Sequence, residues 1–471
     1  MEFIKIDLEI IYTTYYTTYK MDYVIDDESS VASSVASSVA SSIIERGLLI
    51  DDMSVDDLIE VENEIFKSIE CFLAVDILQI SNPNYYEKFY TTITDTMYET
   101  ISAIYDVEVY EDPYTEIEEF VKERVKVYVE TMINPQRSYL MGVENYDKNK
   151  KMEDIQSHIE YLKKSYQPTQ RTDEWYKYRY NLLTASNIGK VLGSDAKKNS
   201  LIFEKCQPLV LNDVNSYVNV NSPMHWGNKY EPVSLMVYEH MYETKVEDFG
   251  CIKHPDIQCL GASPDGINTD TNSNLYGRMV EIKNIVNREI TGIPLEAYWI
   301  QMQVQMEVCD LDQCDFFETQ FKEFDKSDEF YTSDIEYTGV ILYFVKADGT
   351  NTNPEYVYMP LKMMKNKETI KSWIDGCILE FESDGKHRFY STIYWYLDKM
   401  SCVLVPRNKA WFKALRPHIM STWDIIENER KNGYEHRKPK KRIRKCNIIL
   451  EEDAIKSSCI LVGDTKIINL L

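Results

Sequence analysis

The sequence has no unbroken apolar run of the roughly eighteen residues that a membrane-spanning helix needs, so none is predicted. Met1 to Thr14 lack a basic start, an apolar stretch and a small-residue cleavage site, so no secretory signal is expected. The expected location is intracellular. The ten cysteines form no Cys-x-x-Cys pair, and only Cys251 with Cys259 and Cys309 with Cys314 lie close together. Free thiols in a reducing compartment are expected rather than a disulfide or zinc framework. The seven histidines form neither an HxxxH nor an HExxH spacing, so nothing points to zinc. A surplus of positive charge is missing too, since the net charge is −25. That figure divides unevenly. Residues 1–150 carry 31 acidic and 11 basic side chains, while the remaining 321 residues carry 46 against 41. The acidity belongs to the N-terminal third, and global charge says little about what the rest binds.

What is present falls into segments. Residues 1–50 are rich in Tyr, Thr and Ser, and Ser29 to Ser42 repeats the unit SSVA. So short a unit offers few large apolar groups to bury and reads as low-complexity sequence. Residues 51–135 show helical spacing, with Ile59, Ile65, Ile69 and Phe72 in the first helix and four aspartates near its start. Further helices are expected at Tyr86–Ile104 and Tyr114–Met132, giving an acidic helical domain. Residues 136–170 read as a linker ending in a helix around Ile155–Lys164. Residues 171–345 alternate helices (Asp173–Tyr180, Ser186–Leu192, Met224–Tyr242, Pro294–Val308) with strands (Lys245–Lys253, Ile257–Ala262, Met279–Lys283, Asp315–Phe321, Thr338–Phe344). That alternation predicts a mixed α/β core. Residues 346–429 extend the core with a helix at Lys362–Phe381, a tyrosine-rich strand pair around Phe389–Val405 and a helix at Asn408–Asn428. Residues 430–471 form a basic tail, with nine Lys or Arg between Arg430 and Lys445 against Glu435 alone. A solvated tail, a phosphate-contacting arm and a localisation signal all use the same charges.

Chemistry-bearing residues gather in the α/β segment. Ser263-Pro264-Asp265-Gly266 ends a predicted strand in a turn, and a loop rich in Asn, Thr, Ser and Gly leads to Met279-Val280-Glu281-Ile282-Lys283. Alternation along a strand places Glu281 and Lys283 on one face and Ile282 on the other. Two carboxylates and a lysine are what phosphodiester hydrolysis asks for. Magnesium takes oxygen ligands, commonly one or two carboxylates, and the Ile282 carbonyl is a further candidate ligand. Glu231, early in a predicted amphipathic helix, is a second-carboxylate candidate. A lysine can orient the attacking water. A turn and a solvated strand face remain the plainer explanation of the same residues.

Three further features bear on that choice. Thr184-Ala185-Ser186 before a helix, with Arg179 seven residues before Ser186, could hold a phosphate, or Ser186 could simply cap its helix. Gln301 and Gln305 share one face of the helix at i and i+4, with Gln303 off that face. Trp175 begins the helix that bears Arg179.

The ordered series EWYKYR, LLTASNIG, WGNKYEP, GASPDGI, VEIKN and YWIQMQVQMEV resembles the YqaJ-type viral recombinase family. That family is related to the phage lambda exonuclease within the PD-(D/E)XK nuclease superfamily. The likeness covers about residues 171–320 and implies a restriction-endonuclease-like core with a mixed central sheet flanked by helices. It implies Asp265, Glu281, the Ile282 carbonyl and Glu231 around Mg2+, with Mn2+ as a substitute, and Lys283 assisting the water. Gln301 would line the site, with Gln303 following, and Arg179, Ser186 and Ser263 would bind a 5′-phosphate. Asn181 departs from the glycine that family members frequently carry there. The implied function is a 5′→3′ exonuclease on linear double-stranded DNA, in viral-type recombination or repair, inside an infected cell's cytoplasm or nucleus. The implied partners are double-stranded DNA ends, a single-strand annealing protein and further copies of the chain in a ring-type trimer. An endonuclease or DNA/RNA nuclease on the same core, and an inactive DNA-binding protein, are the alternatives. Retention of Glu231, Asp265, Glu281 and Lys283 argues against the last.

Overall fold

The computed structural model describes residues 49–131, 137–140, 152–170, 172–211, 219–347, 354–364, 366–383, 385–438, 460–463 and 466–469. The SSVA repeat and the basic residues from Lys440 to Lys445 lie outside the described residues.

The N-terminal part is helical: α1 (Leu49–Asp52), α2 (Val55–Asp76), α3 (Tyr85–Ser102) and α4 (Pro113–Thr131). Ser54 caps α2, its hydroxyl accepting from the Asp57 amide at 3.1 Å. Apolar residues three or four apart form one stripe per helix. Val61, Ile65 and Ile69 of α2, Phe89, Ile93, Met97 and Ile101 of α3, and Ile117, Val121 and Val125 of α4 close a shared core. Each such side chain stabilises by about 1.5–3 kcal/mol when taken fully out of water. A second contact surface joins these helices to the rest, because Ile80 and Tyr85 pack in the same cluster as Trp299 and Trp411.

Beyond them run β1 (Tyr139–Leu140), α5 (Met152–Lys164), α6 (Asp173–Tyr180), β2 (Leu183–Thr184), α7 (Ala185–Val191), α8 (Asp195–Cys206) and α9 (Pro223–Met241). Then come β3 (Val246–Glu247), β4 (Ile252–Lys253), β5 (Leu260–Ala262), β6 (Gly266–Asn268), β7 (Met279–Asn284), α10 (Glu296–Cys309) and β8 (Gln313–Glu323). The chain continues through α11 (Ser327–Thr332), β9 (Thr338–Lys346), β10 (Glu355–Tyr358), α12 (Lys367–Glu382), β11 (His387–Pro406) and α13 (Lys409–Asn432). The main sheet runs β10-β9-β11-β8-β7-β6-β3, with β1 also paired to β11, and β2-β5-β4 form a separate small sheet. Among the described residues of the main sheet, only β7 and β8 pair in parallel. The fold is mixed α/β, a mixed sheet flanked by helices with a helical N-terminal part. Among the described residues no helix is long and apolar enough to cross a membrane.

Several elements differ from the sequence expectation. The expected strand Lys245–Lys253 is two short strands, because Gly250 leaves the sheet to donate its amide to Gln167 Oε1 at 2.7 Å. The loop after Asp265 contains a strand, β6, paired with β7. The tyrosine-rich pair is one twenty-residue strand, β11, which bends at two register shifts. It lies between β9 and β8, so residues beyond 345 are integral to the same sheet rather than appended to it. Helix α13 extends to Asn432, so Arg430 and Lys431 are helical and not part of a free basic tail. Arg437 likewise pairs with Glu429 and donates to Asn199 Oδ1 at 2.9 Å.

Candidate active site

Strand β7 is covered on both faces, and its alternation sorts its side chains. Val280 and Ile282 pack in the cluster that includes Tyr230, Val233 and Val237 of α9, while Met279 packs in the cluster that includes Trp299 and Met302 of α10. Glu281 and Lys283 therefore face the α10 side. A carboxylate there is completely buried, and burial of a charge is tolerated only when hydrogen bonds and counter-charges satisfy it. Glu281 has three donors. Gln301 Nε2 lies 2.6 Å from Oε1, Gln305 Nε2 lies 2.7 Å from Oε2, and the Lys283 ammonium completes the set. The glutamines reach the same carboxylate because they stand one helical turn apart.

Asp265 sits between β5 and β6 and enters the same space from the neighbouring strand. Its Oδ2 accepts from the Ile282 amide at 2.8 Å, which fixes the carboxyl against β7. Gly266 permits the approach, since a Cβ there would collide with Val246. Burial first, then the Glu281 and Glu231 carboxylates, push the Asp265 carboxyl well above the usual range, with Lys283 and the Ile282 amide pulling back in part. For Lys283, burial works against the charge, but Glu281 and Asp265 outweigh it and hold the ammonium protonated above its ordinary range. The ammonium also donates to the Ile282 carbonyl at 3.1 Å and lies 5.2 Å from the Tyr298 ring centre.

Glu231 lines a cleft of about 190 Å³ with Asp265, Gln301, Arg179, Ser186 and Ser263. Its position follows from how α9 is anchored. Pro232 inside the helix removes one backbone donor. The neighbouring carbonyls are held from outside, Gly227 by Asn284 Nδ2 at 3.0 Å and Lys229 by the Tyr358 hydroxyl at 2.9 Å. Asn284 ends β7, so the strand that carries Glu281 also pins the helix that carries Glu231.

The opposite wall is polar. Arg179 lies over the Trp175 ring at 4.4 Å and donates to Ser263 Oγ at 3.3 Å. Ser186 is exposed on the first turn of α7, whose N-cap is Thr184 rather than Ser186. The Thr184 hydroxyl donates to Asn187 Oδ1 at 2.8 Å and stands 3.3 Å from Ser186 Oγ.

The structure thus brings Glu231, Asp265, Gln301, Arg179, Ser186 and Ser263 to one cleft, with Glu281 and Lys283 bonded behind it. Gln303 is elsewhere: it donates to the Pro406 carbonyl at 2.8 Å and accepts from the Asn408 amide at 2.7 Å, tying α10 to the junction of β11 and α13. Gln305 is the stronger partner, because its amide also reaches the Ser263 carbonyl at 3.0 Å. Its spacing from Gln301 is the signal that finds it. Gln170 and Asp248 also line the cleft, from loops whose sequence gives no hint of it.

The donor set suits a hard divalent cation. Asp265, Glu281 and the Ile282 carbonyl offer oxygen only, and the two carboxylates repel each other in a water-poor setting. Among the described residues no three or more His, Cys, Asp or Glu side chains form a group that could hold a metal ion, so the candidate oxygen donors are the Asp265 and Glu281 carboxylates and the Ile282 carbonyl.

A carboxylate turn and a Glu-x-Lys strand thus stand together on a mixed sheet flanked by helices, as the resemblance implied. Residues 174–312 match the family model of the YqaJ-like viral recombinase domain. An uncharacterized protein of Acanthamoeba polyphaga mimivirus is 29% identical over 304 residues, which are 57% of this chain and 54% of the relative. The chain thus spans about half the length of that curated relative. Among solved structures, an alkaline exonuclease from Laribacter hongkongensis is 19% identical, covering 55% of this chain and 95% of that one, with a TM-score of 0.33. A phage related exonuclease from Haemophilus somnus 129PT is 11% identical, covering 53% and 96%, with a TM-score of 0.29.

Proposed function

We propose that the chain is a metal-dependent DNA exonuclease of the viral recombinase type, degrading linear double-stranded DNA from 5′ ends. The observation that carries this reading is the buried Glu281 carboxylate, held by Gln301, Gln305 and Lys283 with Asp265 beside it. Two carboxylates kept together against their repulsion form a site that a cation would complete. Asp265, Glu281 and the Ile282 carbonyl would hold Mg2+, or Mn2+ in its place, with Glu231 contributing from across the cleft. Such an ion, when bound, lowers the pKa of water and neutralises charge developing on the phosphate oxygens.

The chain's own residues do the rest. The Lys283 ammonium, now on Glu281 and the Ile282 carbonyl, is the group placed to orient the attacking water and carry charge in the transition state. Gln301 and Gln305 fix the Glu281 rotamer, so that carboxylate need not reorganise during reaction. Arg179, Ser263 and Ser186 form the polar wall that would receive the 5′-phosphate, the Arg179 guanidinium being suited to an anion with several oxygens. Cleavage from that end leaves a 3′ single strand, the species that a single-strand annealing protein takes up in recombination or repair.

The test is digestion of linear duplex by purified protein with Mg2+, using substrates labelled at either 5′ or 3′ termini. The expected result is early release of the 5′ label, no attack on covalently closed circles, and no cleavage by Asp265→Ala. Cutting of closed circles would replace the exonuclease by an endonuclease. Intact linear duplex under all metals, with Asp265→Ala indistinguishable from wild type, would leave a DNA-binding protein.

A further inference from the structure

The rear of the Arg179 wall contains two cations that the catalytic scheme does not use. Lys205, at the end of α8, is 8% exposed, and its ammonium donates to the Arg179 carbonyl at 2.9 Å. Arg430, near the end of α13, donates to the Lys205 carbonyl through Nε at 2.9 Å and a terminal nitrogen at 2.7 Å. That terminal nitrogen also reaches the Tyr180 carbonyl at 2.9 Å, and the other reaches Asn181 Oδ1 at 3.4 Å. The guanidinium lies 4.1 Å from the Tyr180 ring centre and 5.3 Å from that of Trp423. Asn181, the departure from the family's frequent glycine, is therefore part of this contact. The carbonyls of residues 179 and 180 belong to the last turn of α6, where the helix dipole favours cations; the Arg179 carbonyl also accepts from the Leu182 amide at 3.1 Å.

Capping a helix end does not need three positive charges. Among the described residues no carboxylate forms a salt bridge with Arg179, Lys205 or Arg430; Glu204, whose charge also reaches Lys205, pairs with Lys190 at 2.9 Å. Burial and the two arginines hold the Lys205 ammonium down to about 8. A buried ammonium beside two half-buried guanidinium groups is costly, and the polar wall that opens in front of it, through Arg179 to Ser263, offers the place where an anion would relieve that cost.

We propose that Lys205 and Arg430 are positioning residues that fix the last turn of α6, present Arg179 to Ser263, and so set the preference for DNA ends carrying a 5′-phosphate. The proposal rests on the phosphate-end reading of Arg179, and it makes α13 part of end recognition although α13 contributes nothing to the carboxylate site.

The experiment compares kcat/KM on duplexes with 5′-phosphate and 5′-hydroxyl ends for wild type, Arg179→Ala, Lys205→Met, Arg430→Met and Arg430→Lys, with thermal melting of each. Wild type is expected to favour the phosphate and Arg179→Ala to lose that preference. Lys205→Met and Arg430→Met should each reduce it about tenfold, through KM on phosphorylated ends. Arg430→Lys should fall between, because one ammonium cannot serve carbonyls at both 180 and 205 as the fork does. Lys205→Met removes a buried charge and one hydrogen bond, to the Arg179 carbonyl, so it keeps the test open if Arg430→Met does not fold. An unchanged end preference in folded Lys205→Met and Arg430→Lys, with Arg179→Ala indifferent to the phosphate, overturns the positioning role alone. Equal loss on both kinds of end marks a merely structural role and overturns it too. A wild type indifferent to the phosphate overturns the end-recognition reading and this inference together.

Discussion

Gln305 donates to Glu281 at 2.7 Å, and the same amide nitrogen lies 3.0 Å from the Ser263 carbonyl. One side chain of α10 therefore links the buried carboxylate to the turn that carries Asp265. A hydrogen bond to a charged group is worth about 1.5–3 kcal/mol, and more is at stake when the charge is buried. Gln305→Leu should destabilise the metal-free protein by about that amount and lower cleavage, with Gln301→Leu costing less stability because Gln301 is half-exposed. Urea unfolding of both variants checks the order. Equal stability of Gln305→Leu and wild type would remove the case that Gln305 holds Glu281.

Asp265 gives a pH signature. Its folded-state pKa is raised by burial and by the facing carboxylates, so the fold prefers the protonated form. The stability it contributes is fully present below the ordinary carboxyl range and is lost as pH rises through the raised value. With a chelator present, wild type should gain stability relative to Asp265→Asn as pH falls from neutral. At neutral pH the variant should melt higher than wild type, since it carries no carboxyl whose ionisation burial and the facing Glu281 oppose. Adding Mg2+ should raise the wild-type melting temperature and leave the variant unmoved. A variant less stable than wild type at neutral pH without metal would contradict the repulsion.

Much of this site was legible because it lies on regular elements. The two-residue period of β7 pairs Glu281 with Lys283, and the four-residue spacing on α10 pairs Gln301 with Gln305. What was not legible depends on chain segments meeting from far apart. β6 has three residues in a polar, Gly-containing stretch and is a strand only because β3 and β7 flank it. Helix α8 opens with Asp195, Lys197, Lys198 and Asn199, and only its second half carries an apolar face, with Leu201, Ile202 and Cys206 buried. The basic cluster is the plainest case. Nine similar charges in sequence look alike, yet Arg430 grips carbonyls of two other helices and Arg437 pairs with Glu429, distinctions that no local pattern encodes.

Arg137 joins the N-terminal helices to the site. It is 2% exposed and donates to the Ser81 carbonyl at 3.0 Å and to the Pro294 carbonyl just before α10. Its own carbonyl accepts from the Trp299 indole at 2.7 Å. Burial above all lowers its pKa to about 10, a measure of how dry the junction is. Arg137→Met should leave both carbonyls without a donor, at about 1–3 kcal/mol each. The expected result is a lower urea midpoint and faster proteolysis between the helical part and α10. An unchanged midpoint would mean that the two parts are held by packing alone.

At Lys205 the expected effects on stability and on recognition have opposite signs. Burial first, then Arg179, lowers its pKa from 10.5 to about 8. The folded state therefore binds this proton less readily than the unfolded chain. Stability from this group is complete above about pH 10.5 and is lost as pH falls to about 8, so at neutral pH the buried ammonium is a net cost. Lys205→Met should then be more stable than wild type at pH 7, by on the order of 1–3 kcal/mol, less whatever the lost bond to the Arg179 carbonyl contributed. The advantage should shrink through the window from pH 8 to pH 10.5, which a series of urea unfolding curves resolves. A stabilised variant that digests 5′-phosphorylated ends less selectively would show that this charge is kept for recognition and not for the fold. A variant less stable than wild type at every pH would instead make Lys205 an ordinary helix cap.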